Sequence, residues 1–327
     1  MEGLVLRGVD FGTVFTASGT LNFFGEGWPY HRWYKMLFRK RFDFRGASFI
    51  SKTTTFPARA GNMPLDRNLQ PTSLFPDCVR VYFRKGAVLN SVGLSGPGAV
   101  ELLKRKKWQA RPKPFMISFM SLGSALEQKI EEADKFVGLL LKAKPEFRAP
   151  FGIQVNVSCP NTGHPTKELI NDSLSILEAF RPLSVPLDLK IGVADALSAG
   201  VSFIKEIENS GRCDCLTCSN TIPWGKLPEQ INWRKIFGSD ISPLAHLGGG
   251  GLSGQELKPI VVNWLKAVRR AGISMPVKAG GGILNSQDAR DYIKAGASAL
   301  EIGCVAILRP WNVQSIIRTS NIILGKW

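Results

Sequence analysis

Short apolar runs recur along the chain, and each ends in a polar or glycine-rich corner. Eight of them read as strands: residues 14–17, 47–51, 115–119, 152–156, 187–191, 214–218, 276–279 and 299–303. A further short run, 87–90, lies inside a long irregular stretch from 53 to 98. Stretches of helical period follow several of these runs. Ser124 and Glu127 have capping-box spacing, and apolar residues then fall at Leu126, Ile130, Phe136, Val137 and Leu140 before Pro145 closes the segment. Ser253 and Glu256 repeat the spacing ahead of a face made of Leu257, Ile260, Val261, Trp264, Leu265 and Val268, with Gly272 after the last turn. A third helix is expected over 166–180. Alternating strand and helix with mostly apolar strands predicts a parallel sheet covered on both sides. Eight such units predict closure into a (β/α)8 barrel, a single domain over residues 1–327 with an irregular insertion after the second barrel strand.

Composition narrows the class. Of 327 residues 44% are hydrophobic, which excludes a disordered chain and supports a large core. The 42 Lys and Arg against 26 Asp and Glu leave a formal charge of +16, so an anionic ligand, partner or surface is expected. Met1 to Asp10 lacks the basic and then apolar order of a secretion signal, and the cysteines suggest no disulfide framework, so a reducing cytoplasm is the expected compartment. The apolar runs fall far short of the ~20 residues that cross a bilayer, which leaves at most a peripheral membrane association.

In a barrel of this kind chemistry gathers at the C-terminal ends of the strands. The residues there are Ser18, Lys52, Asn156, Ser158, Cys159, Asn161, Lys190, Ser219, Asn220, Thr221, Gly280 to Gly282, Gly303 and Cys304. Gly249 to Gly254 has a dinucleotide-fold spelling. No expected strand precedes it, however, and no Asp or Glu from Leu257 through Asn285 could hold a ribose. What remains is a set of glycine corners on late strands, where bare backbone N–H groups can cradle phosphate. Cys159, in Asn156-Val-Ser-Cys-Pro-Asn161, follows a strand and stands between two amides, a setting in which a thiol can act as a general base. Asn90, Asn156, Asn161 and Asn220 each offer a donor and an acceptor, as needed to read a flat imide such as a pyrimidine. Lys52 and Lys190 end strands at the same mouth and suit a carboxylate, a phosphate or charge developing on a reduced flavin. Cys213, Cys215 and Cys218 have no fourth partner nearby, and strand alternation separates the last from the others. They read as packing, and no metal site is expected.

These segments resemble the dihydroorotate dehydrogenase family of FMN-dependent (β/α)8 enzymes. The resemblance runs through Thr16-Ala-Ser-Gly19, Ser51-Lys-Thr-Thr54, Arg59-Ala-Gly-Asn62, Asn90-Ser-Val-Gly-Leu94, Asn156 to Asn161, Leu189-Lys190, Ser219-Asn-Thr221, Gly251-Leu-Ser-Gly254, Ala279 to Ile283 and Ile302-Gly303, in that order. It implies oxidation of dihydroorotate to orotate in pyrimidine synthesis, with Cys159 taking a proton from C5 while C6 gives hydride to FMN. Lys52, Asn90, Val92, Gly93, Leu94, Asn156, Asn161, Asn220 and Thr221 would hold the substrate. Ala17, Ser18, Lys52, Asn156, Lys190, Ser219, Gly251, Gly281, Gly282, Gly303 and Cys304 would line FMN. A cysteine base looks like the soluble class 1 enzymes, whereas the Ser-Asn-Thr and Gly-Leu-Ser-Gly spellings look closer to class 2. A homodimer is implied; the electron acceptor (fumarate, NAD through a partner, or quinone) stays open. Two alternatives are an FMN oxidoreductase of another dihydropyrimidine and a non-catalytic barrel that works through its basic surface. The main departure is residues 28–45, where Trp28, Tyr30, Trp33, Tyr34, Phe38, Phe42 and Phe44 interleave with Arg32, Lys35, Arg39, Lys40, Arg41 and Arg45. That pattern suits either a helix with a solvated face or docking to an electron-transfer partner or anionic membrane; nucleic acid is not expected.

Overall fold

The computed structural model describes residues 3–157 and 166–325, with the side chains of 166–170 left out of the description. Eight parallel strands form the central sheet: β1 (Val14–Thr16), β2 (Phe49–Ile50), β3 (Phe115–Phe119), β4 (Phe151–Asn156), β5 (Leu187–Gly192), β6 (Cys215–Asn220), β7 (Val277–Gly280) and β8 (Ala299–Ile302). They neighbour one another in the order β1-β8-β7-β6-β5-β4-β3-β2. The ends of the sheet meet where Phe15 bridges Ser48, with Ser48 N donating to Val14 O at 2.8 Å and Thr16 N to Ser48 O at 2.9 Å. All eight expected strands are present in the expected order, and the barrel forms as predicted.

The surrounding helices include α1 (Tyr30–Phe38), α2 (Leu126–Ala143), α3 (Thr166–Ala179), α4 (Val193–Ser210), α5 (Leu257–Arg270), α6 (Ser286–Lys294) and α7 (Val313–Ile323). The six apolar residues expected on the face of α5 are all buried. Both expected capping boxes need correction. At α2 the N-cap is Ala125, and the Gln128 side chain, rather than Glu127, accepts from the backbone N–H groups of Ser124 at 3.0 Å and Ala125 at 3.3 Å. At α5 no side chain caps the helix, because Ser253 belongs to a strand and faces Val88 across an antiparallel ladder.

That ladder is part of a second sheet, in which Ile222–Pro223, Gly251–Gly254, Ala87–Asn90 and Val79–Tyr82 pair antiparallel in that order. The insertion after β2 is therefore only partly irregular: it supplies a hairpin that joins a late glycine segment. Gly254 has φ +132°, and a Cβ there would meet the Gly86 carbonyl at 2.1 Å, so this pairing demands glycine. At the other end the barrel is plugged by apolar side chains. Leu4, Leu6 and Phe11, around a short antiparallel hairpin, pack on Phe15, Ile50, Met116, Cys215 and Ala299. Apolar residues seal one mouth, and polar chemistry is left to the other.

Candidate active site

A cavity of 1580 Å³ opens at the C-terminal ends of the barrel strands, beside the antiparallel sheet. Pockets for one drug-sized ligand run to ~300–1,000 Å³, so the space suits two ligands side by side. Ala17, Ser18, Lys52, Asn90, Val92, Gly93, Leu94, Asn156, Lys190, Ser219, Asn220, Thr221, Gly251, Gly281, Gly282, Gly303 and Cys304 all line it. Cys159 and Asn161 lie outside the described residues.

The amides meet through a chain of contacts. Asn220 Nδ2 donates to Asn156 Oδ1 at 3.3 Å, and Thr221 N donates to Asn220 Oδ1 at 2.9 Å. A Cβ placed on Gly251 would meet Thr221 Oγ1 at 2.2 Å, so the second sheet lies directly on that hydroxyl. Asn90 pairs with Gly251 in the ladder, and its Nδ2 donates to the Gly251 carbonyl at 3.4 Å. Three strands from two sheets thus bring three carboxamides and a threonine together, although the residues lie far apart in sequence.

The neighbouring loop is held from behind. Asn62 N donates to Val92 O at 2.9 Å, Arg59 Nε to Gly93 O at 3.2 Å, and Ser95 Oγ to Val92 O at 3.0 Å. Leu94 sits there at φ +60°, a left-handed conformation that costs a non-glycine residue about 1–2 kcal/mol and that these bonds enforce. Lys52 is buried beside this loop; its Nζ donates to the Ser95 carbonyl and stands 4.9 Å from the centre of the Phe23 ring. Burial pulls its pKa down to about 7, against a smaller opposing pull from Cys78.

On the facing wall, Lys190 is buried and forms an ion pair with Glu301 on β8. The glycine corners follow β7 and β8. Gly281 and Gly282 turn through φ +111° and +70°, and a Cβ on Gly282 would meet the Gly254 carbonyl at 2.5 Å. These corners bring main chain to the cavity wall. With Ser18, whose hydroxyl lies 2.8 Å from Thr53 Oγ1, they make a donor set of the kind that receives a phosphate.

Reading the sequence singled out neither Thr53 and Ser95 nor the barrel-interior set of Gln154, Asp188, Lys278 and Glu301. The signal was present: Gln154 and Asp188 stand two residues before Asn156 and Lys190, on the same strand face. The described cysteines are poor bases. Burial drives Cys304 up to about 11 and Cys213 up to about 12, and lifts Cys78, Cys215 and Cys218 as well.

Residues 28–45 form α1 and a following 3₁₀ turn, Arg39–Arg41. Most of the aromatic residues turn inward. Trp28 Nε1 donates to Gly19 O at 2.7 Å, Tyr30 and Tyr34 line the cavity, and Tyr34 meets Phe42 at 5.5 Å between ring centres. Trp33, Met36 and Leu37 face outward, 59–66% exposed, among Arg32, Lys35, Arg39 and Lys40.

Comparison with known proteins agrees with this architecture. The chain is 28% identical over 309 residues to the catalytic subunit of dihydroorotate dehydrogenase B (NAD(+)) of Anoxybacillus flavithermus, covering 93% of this chain and 84% of that one. It is also 28% identical over 289 residues to the corresponding subunit of Fusobacterium nucleatum, covering 86% and 82%. Dihydroorotate dehydrogenase A (fumarate) of Lactobacillus delbrueckii subsp. bulgaricus is 28% identical over 305 residues, covering 91% and 85%. The family model for dihydroorotate dehydrogenase matches residues 14–324, from the first barrel strand to the last helix, and the chain belongs to that family.

Proposed function

We propose that this protein oxidises dihydroorotate to orotate, with FMN held on the β5, β7 and β8 side of the cavity and the substrate under the antiparallel sheet. The observation that carries the reading is the contact chain joining Asn156, Asn220, Thr221 and Asn90 within one cavity that also holds two lysines and paired glycine corners. The carboxamides match the alternating N–H and C=O edge of a dihydropyrimidine. Lys52, with the Val92–Leu94 loop, suits its carboxylate. Ala17, Ser18, Lys190, Ser219, Gly251, Gly281, Gly282, Gly303 and Cys304 would hold the cofactor, which supplies the hydride acceptor when bound. Substrate oxidation also releases one proton, from C5. We assign its removal to Cys159, because it follows Asn156, the last residue of β4, by three positions in the sequence and because burial keeps the described thiols protonated.

Anaerobic mixing of the purified protein with dihydroorotate tests the reading. Bound flavin should bleach with dihydroorotate and stay oxidised with dihydrouracil, which lacks the carboxylate. Cys159→Ser should retain the flavin and slow its reduction by roughly 10²-fold at neutral pH. A colourless protein, or flavin that dihydroorotate leaves oxidised, overturns the proposal. Adding fumarate, or NAD with a candidate partner subunit, to the reduced protein then identifies the acceptor class.

The outward face of α1 favours one addition. Trp33, Met36 and Leu37, set among arginines and lysines, suit an anionic lipid surface. Co-sedimentation with vesicles containing an anionic phospholipid, but not with neutral ones, is expected at low salt. No sedimentation with either rejects it.

A further inference from the structure

Inside the barrel, one layer below the cavity floor, lies a closed set of charges. Lys278 and Asp188 have no exposed side-chain surface and meet at 2.8 Å. Glu301 reaches both lysines: Oε1 accepts from Lys190, and Oε2 lies 3.9 Å from Lys278. Gln154 Nε2 spans the carboxylates, donating to Asp188 Oδ2 at 2.9 Å and to Glu301 Oε2 at 3.0 Å, and Thr217 Oγ1 donates to Asp188 Oδ1 at 2.7 Å. Two ammonium groups and two carboxylates therefore balance, the Lys278–Asp188 pair wholly buried and the Lys190–Glu301 pair bordering the cavity. Burial alone would push the Glu301 carboxyl up; Lys190, Lys278 and their hydrogen bonds overcome it and hold the group ionised. Glu301 is the bridge. It joins the sealed interior to Lys190 and itself reaches the cavity wall, two residues before Gly303.

Lys190 is consequently not a lone cation at the cofactor wall. A positive charge beside an isoalloxazine favours the reduced ring, which carries more negative charge, and in a dry site that effect is large. A carboxylate bonded to the same ammonium offsets it. We propose that Glu301 is a positioning residue that holds Lys190 as half of an ion pair and thereby lowers the reduction potential of the bound flavin. The proposal rests on the FMN reading above.

The test is the midpoint potential of the flavin in the holoprotein, measured anaerobically against reference dyes. Glu301→Gln keeps the hydrogen-bonding shape and removes the charge. It should shift the equilibrium toward reduced flavin at least tenfold, about 30 mV for a two-electron couple. Glu301→Asp, which restores the charge, should return the potential toward the unmodified value. Should Glu301→Gln fail to fold with Lys278 left partly uncompensated, the double variant Lys278→Met with Glu301→Gln keeps the interior neutral and should show the same rise. Normal FMN binding and reduction by dihydroorotate with an unchanged potential overturns this inference alone, as does an equal rise in Glu301→Asp. A protein that binds no FMN overturns the functional reading and the inference with it.

Discussion

Lys52 and Lys190 line the same cavity, both almost wholly buried, yet the barrel treats them differently. Lys190 is matched by the Glu301 carboxylate and, through it, by the interior charge network. Lys52 has a main-chain carbonyl and an aromatic face, and among the described residues it forms no ion pair. Burying a charge is costly unless it is paired, and Lys52, buried without a carboxylate partner, falls to a pKa of about 7. The difference separates a charge that the scaffold compensates from one that it leaves without a counter-charge among the described residues. An anion arriving at Lys52 supplies the partner the fold withheld, and so gains affinity from a penalty already present in the free protein.

The largest effect is expected where the matching is complete. Asp188→Ala removes the carboxylate closest to fully buried Lys278, and should cost about 3–5 kcal/mol in urea denaturation, the usual result of leaving one buried charge unpaired. A loss below about 1 kcal/mol would mean that the interior network does not hold its charges ionised, and the contrast between the two lysines would lose its basis.

Much of this could be read from the sequence, and the rest depends on register. The eight barrel strands were legible because each is a short run bounded by polar or glycine corners, and the α5 face because six apolar residues follow the helical period over a dozen positions. Ser253 was misread. Its spacing to Glu256 mimics a cap, while its actual partner, Val88, comes from a distant hairpin that no local pattern announces. The polar residues at strand ends were legible as a group by the barrel rule. Which lysine would be paired was not. Asp188 and Lys190 alternate visibly with leucines on β5, but Glu301 reaches Lys190 from β8, three strands away in the sheet order, and only closure of the barrel brings them together.

A smaller effect should appear at the unmatched lysine, in binding rather than folding. Lys52→Met keeps the length of the side chain and removes a charge the fold does not compensate. Stability at neutral pH should rise rather than fall, because the burial penalty leaves with the charge. Orotate affinity should fall by about 1.5–3 kcal/mol, roughly 10- to 150-fold, the worth of a hydrogen bond to a charged group. Isothermal titration of orotate into the FMN-loaded protein gives the affinity, and a urea midpoint gives the stability. Equal losses in both would show Lys52 to be structural.

The subtlest difference lies in protons. Unfolded, a lysine titrates near ~10.4; folded, Lys52 titrates at about 7. Below pH 7 both states hold the proton and the burial penalty is fully present. Between pH 7 and ~10.4 the unfolded chain holds a proton that the folded chain lacks, so this group makes stability rise with pH through that window. Orotate reverses the shift, because its carboxylate favours the ammonium form. At pH 8, where free Lys52 is mostly neutral, binding should therefore take up close to one proton, and affinity should weaken about tenfold for each pH unit above 7. Titrations in two buffers of different ionisation enthalpy measure the uptake directly. Lys52→Met should abolish it and flatten the added pH dependence of stability, whereas Glu301→Asp, which leaves Lys52 untouched, should change neither. Uptake that survives in Lys52→Met would assign the proton to another group, and Lys52 would no longer be the charge the ligand completes.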